Sequence, residues 1–242
     1  MIDHVGKVVY ECYFSVPTMS SERYRLRIGA ASHKCRVYLN GELIGTGING
    51  YIPIDCPLEN LQELNRLSVV IDNRLTFQTL LVGRIDNGKQ IINHDFYNFT
   101  GIHRDVCVYT LPEKCIEDII INTVLDGDYS KVSVELVGNV TNPVYIIKDN
   151  VGEKILESST TLFTIPEVQL WSPERPYLYT LRVQTETDCY EEPFGVRKIE
   201  LKGNQLLLND KPVYLKGFGM HEDFFLTGKG NCTRLVYETL NA

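Results

Sequence analysis

Cys35-Arg-Val-Tyr-Leu-Asn40-Gly41-Glu-Leu-Ile44 carries the signal that decides the fold. A run of β-forming residues meets Asn-Gly, a pair that tolerates the two positive φ angles of a type I′ turn. An apolar pair resumes beyond it, so the spacing predicts a β-hairpin. The same texture repeats outward. Val8 to Val16, Tyr24 to Ile28, Leu64 to Ile71 and His103 to Thr110 read as strands, with Asp72-Asn73 and Leu111-Pro112 as stops. Ile119 to Ile121, Val132 to Leu136, Val144 to Ile147 and Tyr177 to Val183 then restart the rhythm. Val132, Val134 and Leu136 alternate with Lys131, Ser133 and Glu135, which makes one face buried and one wet. A span of about 80 residues with this spacing suits an immunoglobulin-like sandwich. Leu206 to Leu208 and Pro212 to Leu215 flank the turn residues Asn209 to Lys211 and predict a further hairpin. Alone, that hairpin cannot bury both faces, so fraying or self-association is expected there. Only Thr233 to Leu240, with Val236 and Leu240 one turn apart, predicts a helix. The fold class is mainly β.

Composition agrees and excludes other classes. In 242 residues, 43% are apolar and 23% charged, enough for one large core or two smaller ones and unlike collagen or coiled coils. With 24 basic against 31 acidic residues the net charge is −7, which argues against nucleic acid or an anionic membrane as main partner. No run approaches the length of a membrane span, and Met1 to Tyr13 reads as a strand, not as an apolar leader. Seven cysteines are scattered without a C-x-x-C pair. They predict neither a zinc site nor a disulfide framework, and fit small buried hydrophobes in a reducing, cytoplasmic setting. Asp126-Gly-Asp128 lacks the later ligands of a calcium loop. Gly45-Thr-Gly47 and Gly228-Lys-Gly230 lack the strand–helix setting of a phosphate loop. No metal or cofactor is expected. The sequons at Asn98, Asn139 and Asn231 carry little weight, and Trp171 reads as a core anchor.

Five strings, in order, then set a direction. Val37 to Gly41 is followed by Asn49-Gly-Tyr-Ile-Pro53, and then comes Asn65-Arg-Leu-Ser-Val-Val-Ile-Asp-Asn73. His94-Asp-Phe-Tyr-Asn-Phe-Thr-Gly-Ile-His-Arg104 is the most specific of the five. Leu170-Trp-Ser-Pro-Glu-Arg-Pro-Tyr-Leu-Tyr179 precedes a final string that ends in Gly217-Phe-Gly-Met-His-Glu-Asp223. Together they resemble family 2 glycoside hydrolases, β-glucuronidases in particular. The resemblance implies a jelly-roll-like sugar-binding sandwich over 1–113, entered partway, and an immunoglobulin-like sandwich over 114–195. The opening of a (β/α)₈ catalytic barrel over 196–242 completes it.

The implied activity is hydrolysis of a β-linked sugar, a glucuronide, with retention of configuration. That chemistry needs two carboxylates about 5–5.5 Å apart. In the family both are glutamates late in a barrel of about 250 residues. The expectation is therefore that no catalytic residue lies in this chain and that it is inactive by itself. The family's Asn-x-Lys reader of the glucuronate carboxylate would also lie past the end.

Two positions match family residues that touch sugar. Asp95 corresponds to an aspartate that accepts hydrogen bonds from sugar hydroxyls, as an ionised carboxylate can; the plainer role is ordering its own loop. His221 corresponds to a histidine after the first barrel strand, where it would bind a hydroxyl; the plainer role is a satisfied histidine at a domain hinge. Glu222 and Asp223 are read as supporting groups behind them. Met220 stands where glucuronidases commonly carry a basic residue, whereas His-Glu-Asp differs from the extra histidines of related β-galactosidases. The resemblance also implies a homo-oligomeric full-length enzyme. A β-galactosidase-like parent, a stand-alone carbohydrate-binding module and a purely structural sandwich remain open as alternatives.

Overall fold

The computed structural model describes residues 4–17, 22–95, 97–219, 221, 224, 227–230 and 233–240. Contacts divide the chain into two compact units, Met1–Leu111 together with Gly219–Ala242, and Pro112–Phe218. The residues that the sequence groups as 196–242 are thus shared between the two.

In the first unit the strands are β1 (Lys7–Phe14), β2 (Glu22–Ile28), β3 (Ala31–Ser32), β4 (Lys34–Leu39), β5 (Glu42–Gly47) and β6 (Ile54–Leu58). They are followed by β7 (Asn65–Asp72), β8 (Gly83–Asp86), β9 (Lys89–Ile92), β10 (Gly101–Ile102) and β11 (Val106–Pro112). One sheet runs β1-β7-β4-β5 and another β11-β2-β6, with the short pairs β10-β3 and β8-β9 beside them. The expected hairpin is β4–β5. Leu39 faces Glu42 across the turn, and Asn40 and Gly41 take φ values of 51° and 94°, the two positive angles a type I′ turn demands. Alternation explains the core. Cys35, Val37 and Leu39 of β4 and Leu67, Val69 and Ile71 of β7 point inward, against Leu26 and Ile28 of β2 and Ile54, Cys56 and Leu58 of β6. Each fully buried Val, Leu or Ile contributes about 1.5–3 kcal/mol of hydrophobic stabilisation. Pro57 interrupts this pattern without harm because β6 is an edge strand.

In the second unit are β12 (Ile116–Asp126), β13 (Tyr129–Gly138), β14 (Val144–Lys148), β15 (Lys154–Ser158) and β16 (Leu162–Ile165). Next come β17 (Tyr179–Gln184), β18 (Cys189–Phe194), β19 (Ile199–Lys202), β20 (Gln205–Leu208) and β21 (Lys211–Pro212). The sheets β12-β13-β16 and β15-β14-β17-β18 share a core of Val132, Val134, Tyr145, Ile147, Phe163, Ile165, Leu181 and Val183. The alternation expected in β13 is present: Val132 and Val134 are buried, and Lys131, Ser133 and Glu135 exposed. Trp171 is half-buried, its ring close against Gly195 and 5.4 Å beneath the guanidinium of Arg197. The last sheet, β19-β20-β21, includes the expected hairpin. It buries Leu207 while Leu201 stays 79% exposed, and Tyr214, Leu215 and Phe218 beyond it are equally open.

The expected helix is α1 (Thr233–Leu240). An ion pair one turn apart, Arg234 Nε to Glu238 Oε1 at 2.9 Å, supports it. The cysteines depart from expectation. Cys35, Cys56 and Cys115 are buried, but Cys12, Cys107 and Cys189 are exposed. These three lie on edge strands, where the outward face has no second layer to hide it.

Candidate functional site

The first unit gathers polar chemistry at one cluster of loops: 31–33, 49–51 and 93–104. Their anchor is the two-residue ladder β3–β10, in which Gly101 faces Ser32 and Ile102 faces Ala31. It brings the His94–Arg104 string beside Ser32 and His33. The buried Asn73, at the end of β7, fixes the string from below. Its Nδ2 donates to Thr100 Oγ1 at 3.0 Å and to the His4 carbonyl at 2.6 Å, and its Oδ1 accepts from Gly6 N–H at 2.8 Å.

Two imidazoles then hold the string. His33 is 1% exposed, and its Nε2 lies 2.9 Å from Asn98 Oδ1. An amide oxygen only accepts, so Nε2 carries the proton and donates. His103 Nε2 lies 3.1 Å from the Gly50 carbonyl and 3.0 Å from the Ser32 hydroxyl; by the same reasoning it is the protonated nitrogen. Arg104 donates to the Tyr51 carbonyl at 3.2 Å, and the Tyr51 and His103 rings sit 5.6 Å apart. His33 Nδ1 and Asn98 Nδ2 are buried with no hydrogen-bond partner among the described residues.

Both rings are held neutral. Burial pushes the His33 pKa below the ordinary imidazole value, against the hydrogen bond to Asn98; the nearby positive charge of Lys229 adds to it. Burial likewise lowers His103, helped by Arg104 and Lys229. The consequence has a definite sign. In the unfolded chain both imidazoles titrate near 6.5, so below that pH the unfolded state takes up more protons than the folded one. This contribution to stability is complete above about pH 6.5 and lost as pH falls through the lower folded-state values. The melting temperature of the first unit is expected to drop as pH falls below about 6.5, and His33→Gln should flatten that slope. A slope unchanged in the variant would assign it elsewhere. Asp72, whose carboxyl the Arg74 guanidinium holds below the usual range, responds only at more acidic pH.

Asp95 lies at the exposed bend of this string, next to half-buried His94. His221 is exposed and belongs to the same unit. Glu222 and Asp223, with Met220, lie outside the described residues. His33, Asn98, His103 and Gly50 escaped the sequence reading as site residues. Asn98 was visible there as a sequon and as a member of the 94–104 string, without a role of its own, yet its amide belongs to the His33 hydrogen bond. The sequon residue Asn139 is also committed, donating to the Glu113 carbonyl and accepting from Cys115 N–H, both at 2.9 Å.

Such an arrangement can bind and orient hydroxyls. Among the described residues no three His, Cys, Asp or Glu side chains group to hold a metal, and no helix is long and apolar enough to cross a membrane. A separate open cleft of 790 Å³ lies between 15–17, the start of β2 and 57–63, lined by Arg23, Tyr24, Pro57, Asn60 and Gln62 among others.

The comparisons with known proteins fall on these same segments. The model for the sugar binding domain of glycosyl hydrolases family 2 matches residues 2–112, and the glycosyl hydrolases family 2 model matches 115–197. A β-glucuronidase of Streptococcus agalactiae is 32% identical over 255 residues, covering 94% of this chain and 42% of that protein. The human β-glucuronidase is 31% identical over 276 residues, covering 98% and 42%. Among solved structures, a β-glucuronidase of an uncultured Clostridium superposes with a TM-score of 0.93 at 37% identity, over 99% of this chain and 43% of that one. A Ruminococcus gnavus β-glucuronidase in complex with D-glucuronic acid gives 0.89 at 30% identity, covering 99% and 45%. The chain therefore spans under half the length of the relatives it matches.

Proposed function

Because the chain belongs to glycosyl hydrolases family 2, we propose that it supplies the sugar-binding half of a retaining β-glycosidase acting on β-glucuronides. The observation that carries this is the His94–Arg104 string itself: its base is locked by His33, His103 and Asn73, and it holds Asp95 out at an exposed bend. In this reading Asp95 accepts hydrogen bonds from sugar hydroxyls, His221 binds a further hydroxyl, and Glu222 and Asp223 support them. The division into a sugar-binding sandwich over 1–113, an immunoglobulin-like sandwich over 114–195 and the opening of a catalytic barrel over 196–242 belongs to the same proposal. The matched ranges, which meet between 112 and 115, support its first boundary.

The chemistry of bond cleavage is assigned to glutamates outside these 242 residues, so the chain by itself binds without turning over. A cytoplasmic setting is supported by the free thiols. Burial and the neighbouring Cys56 push the Cys35 thiol up to about 11, which leaves it unreactive. Homo-oligomerisation of the whole enzyme is carried over from the family, and light scattering would test it.

The test is a calorimetric titration. D-glucuronate should bind with a Kd of the order of 1 mM, about −4 kcal/mol, and tighter than D-galactose. Asp95→Ala should weaken it about tenfold or more, the loss of a charged hydrogen bond. Aryl β-glucuronides should not be hydrolysed. Turnover by the purified chain would refute the division of labour. A preference for D-galactose would favour a β-galactosidase-like parent. Binding that survives both Asp95→Ala and His221→Ala would favour the second reading, an independent carbohydrate-binding module, for which the cleft beside Tyr24 and Asn60 is the available site.

A further inference from the structure

A contact across 178 residues of sequence joins the end of the chain to the Asp95 cluster. Lys229 donates to the Tyr51 hydroxyl, and its ammonium sits 4.8 Å from the centroid of the same ring. Tyr51 in turn packs against His103, whose Nε2 is tied to Gly50 and Ser32. One position earlier the fit is backbone-tight. Phe224 and Gly228 exchange N–H···O bonds of 2.9 and 2.8 Å, closing a short antiparallel turn, and Gly228 takes φ +57°. A Cβ there would stand 2.8–3.3 Å from three atoms of the Phe99 ring. A glycine is therefore required twice, for its left-handed backbone and for the approach of the ring. Phe99 and Tyr51 come from the two loops that flank the polar cluster. The segment is thus held at two points, by a cation over one aromatic ring and by bare backbone against another.

The geometry points to Lys229 as a positioning residue. With Gly228 against Phe99 beside it, it fastens residues 227–230 to loops 49–51 and 97–103, and so sets His221 and Asp95 in one sugar-binding constellation. The inference rests on the glucuronide reading for its second half only; the fastening stands on contacts alone. A cation is suited to the task because cation–π attraction and a hydrogen bond to the phenol act together on one ring. Loss of the charge removes both without emptying the space, if the stem is kept.

Hydrogen exchange of the full chain, with and without D-glucuronate, tests this. In Lys229→Met, exchange should rise at least tenfold in peptides covering 224–240 and also in those covering 97–103. D-glucuronate binding should weaken about fivefold. Lys229→Arg keeps a cation over the ring and should restore both to within twofold. Tyr51→Leu approaches the same contact from the other side and should reproduce the exchange pattern, so a poorly folding lysine variant does not decide the matter. Unchanged exchange at 97–103 in both Lys229→Met and Tyr51→Leu would overturn the fastening. Raised exchange with unchanged sugar affinity would reduce Lys229 to a structural tether and overturn the positioning role. If no form binds the sugar, the parent chain included, the glucuronide reading fails, and the positioning role with it, while the exchange data still decide the fastening.

Discussion

Gly50→Ala is expected to destabilise the first unit by about 3 kcal/mol, the upper end of what an overpacked site costs, and to loosen the string that carries Asp95. A Cβ at residue 50 would stand 2.2 Å from Ser32 Oγ and 2.7 Å from Ser32 Cα. The hydroxyl could rotate away, but the Cα belongs to strand β3 and is pinned by its ladder with β10. Relief must come from moving the 49–51 loop outward. That movement withdraws the Gly50 carbonyl from His103 Nε2 and shifts Tyr51, so two holds on the site fail together. Urea denaturation of parent and variant measures the cost. Hydrogen exchange at 97–104 measures the loosening. A variant with an unchanged urea midpoint and a protected string would mean that these loops accommodate a methyl group without the His103 contact.

Leu181→Ala carries the largest stability effect expected in the second unit, about 3–5 kcal/mol, in the upper part of the range for buried leucines. Leu181 is fully buried on β17, which lies between β14 and β18 and faces Ile147 and Glu192 across the two ladders. Strands on both sides prevent the backbone from closing on the cavity, and a site that cannot collapse shows the high end of the series. The same substitution at half-buried Leu156 on the edge strand β15 should cost markedly less. Equal losses at the two positions would contradict a core organised around β14 and β17.

How far the sequence could be read follows from the same physics. Strands β4, β7, β13 and β17 were legible because they bury one face and wet the other, and the β4–β5 turn because only a few residue pairs accept two positive φ angles. Strand β6 was not, since Pro57 argues against a strand unless its edge position is known. The β8–β9 hairpin went unread although Asn87-Gly88 signals it, with φ values of 47° and 76°; its strands are four residues long and mostly exposed, so no alternation surrounds the turn. Strands β15 and β18 were missed for the same reason. The helix at 233–240 was found from one apolar pair. As for the site, the string around Asp95 was recognisable as a unit, but what locks it was not. His33 meets Asn98 across 65 residues, His103 meets Ser32 across 71, and Lys229 meets Tyr51 across 178. Contacts of that separation leave no local period to detect.

The central claim is that the 94–104 string is the sugar-contacting edge of this chain, and an NMR titration of the isotopically labelled chain with D-glucuronate tests it most directly. The expected result is a saturable set of amide shifts confined to 94–104 and the neighbourhood of His221, absent in Asp95→Ala. Shifts that appear instead around Tyr24, Asn60 and Gln62 and persist in Asp95→Ala, or no saturable shift at all, would contradict it.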